Sequence, residues 1–192
     1  MVNKEEIEYS IKGKDDFVKI DKLKRHLKSA DSLDTKKYIL LMLVSICEAR
    51  GLYKEAAKYI ANASEITITY KEKVDLYLKE AELEIKDNQF EAAERALNSA
   101  LSCTNLQEKP IVVTRYLDLY RSVGKSAEDN GKKRKAIEVY EKLIQLKQPY
   151  EKRIEIRDKL ISLHETMGHI RDVERLRRID FREPPKVDFR PY

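Results

Sequence analysis

The sequence predicts an all-α fold in which antiparallel helix pairs stack into a right-handed superhelix, or solenoid, of about nine to ten helices. A short unit that starts at a turn-forming residue recurs at Gly51, Asn88, Gly131 and Gly168, with spacings of 37, 43 and 37 residues. Such a period is typical of helical repeat arrays, because one unit cannot bury its apolar face alone. Charged residues make up 38% of the 192 residues, and proline stands only at the first position of a predicted helix or in the C-terminal tail. This composition favours helix over strand.

Each helix is predicted from its capping residue, its apolar periodicity and the turn residue that ends it. Asp15 or Asp16 is predicted to cap the second helix, Asp34 or Thr35 the third, and Thr69 the fifth. The predicted helices cover residues 3–12, 17–30, 35–50, 53–65, 70–86, 89–103, 110–130, 132–147, 149–167 and 170–179.

Three parts of the chain are distinguished by their patterns. Residues 1–35 form an N-terminal helical pair or cap, and residues 36–180 form the repeat array. Residues 181–192 hold three prolines and three aromatic residues, which predicts an extended tail. The tail is interpreted either as a frayed terminus or as a strap that docks on its own array or on a neighbouring copy.

The repeating unit resembles the tetratricopeptide repeat, a helix pair whose second helix follows a pattern of glycine, aromatic, small, apolar and small residues. In the first unit these positions are occupied by Gly51, Tyr53, Ala56, Ile60 and Ala63. In the second they are occupied by Asn88, Phe90, Ala93, Leu97 and Ala100. The third unit fits at Gly131, Ala136, Tyr140 and Leu143, and the last at Gly168, Ile170 and Val173.

Two features depart from that family. The spacing of the units exceeds the family's usual period of about 34 residues. Glu84 stands where an apolar residue is expected in a first helix. Related helical arrays, such as those of proteasome-lid-type and vesicle-fusion attachment proteins, therefore stay open as alternatives.

The resemblance implies that the first helix of each pair lines a concave groove that binds a peptide segment. Carried over by register, the groove residues are Tyr38, Ser45, Glu48, Asp75, Lys79, Glu82, Asp118, Arg121, Lys125, Glu128, Glu155 and Asp158. Because most of these are acidic, the hypothesis is a groove for a basic or amphipathic segment.

Basic residues cluster on the predicted second helices. The cluster comprises Lys132, Lys133, Arg134, Lys135, Arg171, Arg175 and Arg178. It is interpreted either as a solvated surface or as a contact for phosphate or an acidic partner. The net charge is only +5, with 39 basic residues mixed among 34 acidic ones, and no aromatic residues interleave with the cluster. Nucleic acid is therefore the alternative partner and not the leading one.

No catalytic, cofactor-binding or metal-binding residue is predicted. Gly124 and the following Lys125 and Ser126 imitate the end of a phosphate-binding loop, but Leu119 replaces the required glycine and the segment is helical. The histidines are His26, His164 and His169, and no single-helix pattern places two of them beside a carboxylate. His164 lies on an apolar stripe and is interpreted as a hydrogen-bonded core residue, whereas His169 is expected to be exposed.

These observations predict a non-enzymatic adaptor or assembly subunit that binds another protein through its groove. The alternatives are a nucleic-acid-associated module and a subunit that assembles with itself through its tail or array end. Cys47 and Cys103 form no CxxC pair, and the chain has neither a signal-peptide core nor an apolar run long enough for a membrane span. A cytoplasmic protein without a membrane partner is therefore expected.

Overall fold

The structure is a computed structural model that describes residues 4–179, and within that range it is all helical, with ten helices. The predicted all-α class is therefore confirmed, and the succession of packed helices is consistent with a helical repeat. The helices are α1 (Lys4–Ile11), α2 (Asp16–Ser29), α3 (Leu33–Ala49), α4 (Tyr53–Glu65), α5 (Tyr70–Lys86), α6 (Phe90–Ser102), α7 (Lys109–Asp129), α8 (Lys133–Gln145), α9 (Tyr150–Thr166) and α10 (Ile170–Arg178). The first helices of the predicted pairs are α3, α5, α7 and α9, and the second helices are α4, α6, α8 and α10.

The four repeated turn residues end the first helices in one shared conformation. Gly51, Asn88, Gly131 and Gly168 have φ values of 73°, 60°, 70° and 73°. In each turn the next residue donates its N–H to the carbonyl oxygen five positions earlier, at 2.8 to 2.9 Å. This pair of features defines a Schellman motif. Glycine adopts positive φ without strain, and asparagine is among the few other residues that tolerate it.

The helix N-termini agree only in part with the predicted caps. Asp15 caps α2 as predicted, because its carboxylate accepts the N–H two residues further on at 2.8 Å. Helix α3 is capped by Ser32, whose hydroxyl accepts the Thr35 N–H at 3.0 Å, so the predicted caps Asp34 and Thr35 are wrong. Thr69 is the N-cap residue of α5 but makes no capping bond with its side chain.

The chain divides into two compact units, Met1–Val113 and Thr114–Tyr192, and the division falls within α7. In the first unit each of the helices α1 to α5 packs on the next one along the chain. The apolar faces of α1 to α5 share one core, with fully buried side chains at Ile7, Leu23, Ile39 and Leu83. The N-terminal pair thus buries its apolar face against the same core as α3, α4 and α5.

Alanines at the repeat positions are buried where neighbouring helices pack. Ala56 and Ala63 of α4 and Ala93 and Ala100 of α6 are all 0% exposed. Small side chains at such positions allow helix axes to approach closely, and larger neighbours fill the remaining space. The sequence pattern therefore reflects packing within the first unit.

The second unit is built around buried tyrosines and the α8, α9 and α10 helices. Tyr116 and Tyr120 meet edge to face with ring centroids 5.3 Å apart, and their hydroxyls lie 3.2 Å from each other. Tyr140 of α8 is 1% exposed. Its ring lies against Gly124 of α7, where the missing side chain leaves room for it. The predicted tail at residues 181–192 lies outside the described residues.

Candidate functional site

The groove residues predicted in the first unit lie on α3 and α5, and charged side chains join the two helices. Glu48 of α3 accepts hydrogen bonds from Lys79 at 2.9 Å and from Lys86 at 2.6 Å. Glu82 pairs with the same two lysines. This charge network of Glu48, Lys79, Glu82 and Lys86 connects residues up to 38 positions apart in sequence. Its members are half-buried, and hydrogen bonds hold their side chains in place.

Other side chains border the charge network. Ser45 and Asp75 are exposed on the same two helices, and Tyr38 is half-buried. Tyr38 donates its hydroxyl hydrogen to Glu8 of α1. Further along, Lys37 pairs with Glu72 and again connects α3 to α5. The structure therefore brings together residues that the register assigned to separate repeats.

The environment of Glu48 fixes its ionisation. Burial raises the pKa of its carboxyl, but the hydrogen bonds from Lys86 and Lys79 outweigh this effect, so the pKa lies below its ordinary value. Burial likewise lowers the pKa of Lys86, and the bonds to Glu48 and Glu82 reverse this and raise it. Both partners are therefore charged at neutral pH.

We expect Glu48→Gln to destabilise the folded protein by about 1 kcal/mol at pH 7, because two lysines lose a charged acceptor. A lowered carboxyl pKa stabilises the fold above the pKa of the unfolded chain, and this contribution disappears as the pH falls through the folded pKa. Urea unfolding at pH 7 and pH 3 measures the difference between the proteins. Ser45→Ala, a change at an exposed neighbour on α3, is the control. An equal loss at both pH values would contradict the electrostatic explanation.

The groove residues predicted in the second unit lie on α7 and α9. Asp118 pairs with Arg121 at 2.6 Å, and Arg121 also donates to Gln148 at 2.8 Å. Lys125 is exposed, and Glu128 is half-buried with Lys159 at 3.9 Å. On α9, two exposed carboxylates have basic neighbours on the same helix. These pairs are Glu155 with Lys152 at 3.0 Å and Asp158 with Arg157 at 2.7 Å.

The ion pairs change the predicted charge of this surface. The predicted groove residues include the acidic members of these pairs but omit several of the lysines and arginines that bind them. These bases are Lys86, Lys152, Arg157 and Lys159. The charges of these bases offset the acidic charge that was predicted. The first helices of each unit therefore carry a mixture of acidic and basic side chains.

Exposed apolar side chains near the N-termini of first helices escaped the sequence analysis. Ile68 and Tyr70 at the start of α5 are 85% and 70% exposed. Leu106 and Ile111, at the start of α7 and still in the first unit, are 82% and 61% exposed. The signal in the sequence is a bulky apolar residue just before or at the start of each of these two helices. Exposed apolar groups bordered by polar ones mark interaction surfaces.

The residues of the basic cluster lie at the N-terminus of α8 and on α10, where carboxylates neutralise part of their charge. Arg175 contacts Glu141 at 3.1 Å and Asp172 at 3.2 Å, and Arg178 lies 3.7 Å from Glu174. The other exposed members of the cluster are Lys132, Lys133, Arg134 and Arg171. Lys135 is half-buried. Arg134 and Arg175 face one cleft of about 500 Å³, which also has carboxylates on its walls.

Two histidines meet at the turn between α9 and α10. His164 is 3% exposed and His169 is exposed, as the sequence predicts. Their Nδ1 atoms lie 3.2 Å apart, and Asp172 offers a carboxylate oxygen nearby. A search for ligand patterns within a single helix cannot find this group, because its members lie on both sides of a turn.

Comparison with family models and with curated proteins assigns no function to this chain. No family model matches the chain, and no curated protein matches it. Among the described residues, no helix combines the length and the apolar character that crossing a bilayer would require. A functional assignment therefore depends on surface chemistry and packing.

Proposed function

We propose that this protein is a non-enzymatic adaptor or assembly subunit, which binds a segment of another protein on the α3–α5 surface. By this surface we mean the charge network together with exposed Ser45 and Asp75. The tetratricopeptide-like architecture belongs to the proposal, as does a cytoplasmic location. In a reducing compartment Cys47 and Cys103 remain free thiols, which is their state in the structure.

The observation that carries the proposal is the arrangement of the α3–α5 surface. Its charges are held in place by the bonds of Glu48 and Glu82 to two lysines. Charges held in this way cost little further ordering when a partner binds, and they determine its register. The apolar residues Ile68 and Tyr70 lie on the same helix or directly before it. These apolar side chains lie outside the charge network and mark a second candidate contact at the start of α5.

The chemistry of the surface also indicates the partner. Acidic and basic groups alternate on it, so a partner of one uniform charge would meet repulsion as well as attraction. An amphipathic segment with both signs of charge and one or two apolar anchors fits better. The mixed charge also disfavours nucleic acid at this surface, because phosphate contacts need an excess of positive charge.

Site-specific photo-crosslinking of the full-length chain in its source cells tests the proposal. The crosslinking residue replaces Ser45 or Asp75 on the α3–α5 surface. In matched controls it replaces Lys58 of α4 or Asn98 of α6, which are equally classed as exposed. We expect a protein adduct of one discrete mass from the first two positions, resistant to nuclease and absent from the control positions.

Each alternative function predicts a different product. Adducts of the same yield at Lys58 and Asn98, or none at Ser45 and Asp75, would contradict binding on the α3–α5 surface. An adduct of twice the chain's own mass would indicate self-assembly. Nuclease-sensitive adducts from Arg134 or Arg171, without a protein adduct at Ser45, would make the basic cluster the working surface.

A further inference from the structure

The turn between α9 and α10 places two side chains in contact by its backbone geometry alone. His169 donates its N–H to the His164 carbonyl oxygen at 2.9 Å, and Gly168 donates to Glu165 at 3.1 Å. These bonds define the Schellman motif, and in this motif the side chains five positions apart frequently pack on each other. In the three equivalent turns that pair is Cys47 with Leu52, Glu84 with Gln89, and Ala127 with Lys132. The same turn therefore forms with four different side-chain pairs, so it does not require the two histidines.

The histidine nitrogens are spaced as metal ligands. Their Nδ1 atoms are 3.2 Å apart. Two nitrogens that bind one tetrahedral Zn²⁺ ion, each at about 2.0–2.1 Å, lie roughly 3.3 Å apart. Asp172, in the first turn of α10, offers a carboxylate oxygen, and the three ligand atoms all lie within 4.8 Å of one another. Small side-chain rotations would bring this oxygen to a shared ion.

The far side of His164 supports the same interpretation. This ring is 3% exposed, and its Nε2 has no hydrogen-bond partner among the described residues. Buried polar atoms are nearly always paired, so an unpaired imidazole nitrogen needs an explanation. The Glu141 carboxylate lies 3.9 Å from Nε2. A metal ion on Nδ1 would fix the ring proton on Nε2, where it faces Glu141, the carboxylate–histidine–metal arrangement that is common behind metal ligands.

We infer that His164, His169 and Asp172 form a binding site for a divalent transition-metal ion, with Zn²⁺ as the ion that suits these donors best. Imidazole and carboxylate donors suit Zn²⁺, Cu²⁺ and Ni²⁺, whereas Ca²⁺ and Mg²⁺ prefer oxygen donors alone. His169 is exposed, so the ion can enter from solvent, and a water molecule can complete the coordination. The site is independent of the α3–α5 surface and of the function proposed for it.

One neighbouring group opposes the ion. Arg175 lies 3.2 Å from Asp172 and 3.1 Å from Glu141, so its guanidinium competes for both carboxylates. Its positive charge lowers the affinity of the site for a cation. The two imidazoles do not depend on Arg175, which makes them the main source of affinity and of selectivity for imidazole-binding metals.

Zinc titration of the chelator-treated, full-length chain without a histidine tag tests the inference. We expect calorimetry to show one equivalent of Zn²⁺ bound, and Co²⁺ to give the absorption spectrum of a nitrogen-ligated ion. His169→Gln and Asp172→Asn should each weaken Zn²⁺ binding at least tenfold. Gln89 occupies the position equivalent to His169 in another turn, so the first variant keeps a residue that this turn accepts.

The control is His26→Gln, which changes the histidine outside the cluster and should leave Zn²⁺ binding unchanged. Circular dichroism checks that every variant remains helical. If the wild-type chain fails to bind Zn²⁺, or if His169→Gln and Asp172→Asn bind it as tightly as the wild type, the inference is overturned. In that case the 3.2 Å contact is a hydrogen bond between the two rings.

Discussion

Replacing Gly124 with alanine is expected to destabilise the protein by about 2 kcal/mol, although alanine is the better helix former by about 1 kcal/mol. A Cβ atom at this position would lie 2.5 Å from Cε1 and 2.7 Å from Cζ of the Tyr140 ring. Tyr140 is 1% exposed, so its ring has no free space into which it can move. The steric overlap therefore exceeds the gain in helix propensity.

Urea unfolding of Gly124→Ala and Ser122→Ala measures the two effects separately. Ser122 lies on the same helix and is exposed, so its replacement should change stability by less than about 0.5 kcal/mol. In a Tyr140→Leu background, where the ring is absent, Gly124→Ala should no longer destabilise. A Gly124→Ala variant as stable as the wild type would show that the two helices can separate at no cost.

The second large effect is expected at Glu80 of α5. Burial raises the pKa of this carboxyl to about 7, and the negative charge of Glu84 adds to the shift, while Arg95 opposes it. The unfolded chain ionises Glu80 near the ordinary value of 4.5. Between these pH values the folded state binds more protons than the unfolded state, so stability falls as the pH rises from 4.5 to 7.

Glu80→Gln should therefore stabilise the protein by about 2 kcal/mol at pH 8 and by almost nothing at pH 4. Glutamine has nearly the same shape but carries no charge that burial could penalise. Unfolding free energies at the two pH values measure the effect, and Glu91→Gln at an exposed position of α6 is the matched control. The same stability change at both pH values would show that shape, and not ionisation, distinguishes Glu80→Gln from the wild type.

Glu84, which stands where the repeat pattern expects an apolar residue, separates what the sequence predicts from what depends on the fold. Its position among apolar residues of a first helix is visible from periodicity alone. The structure adds that burial and the charge of Asp87 raise the pKa of Glu84, and that Glu84 in turn affects Glu80 one helical turn earlier. The extent of burial depends on neighbouring helices, and periodicity contains no information about them.

The all-α class, the succession of helices and the turns at Gly51, Asn88, Gly131 and Gly168 were predictable from local sequence patterns. These features depend on residues within about six positions of one another, because caps, apolar stripes and Schellman motifs are local. The cap of α3 was wrong because two polar residues stood close to Ser32 and the pattern could not choose among them.

The sequence patterns did not predict which side chains contact one another. Lys86 reaches Glu48 across 38 residues, and the Tyr140 ring fills the space that Gly124 leaves. His164 and His169 come together because a turn reverses the chain between them. The first two contacts depend on the packing of a second helix, whereas the histidine contact follows from the Schellman turn between the two rings. Packing is set by the shapes of many side chains at once, so no local pattern of residues specifies it.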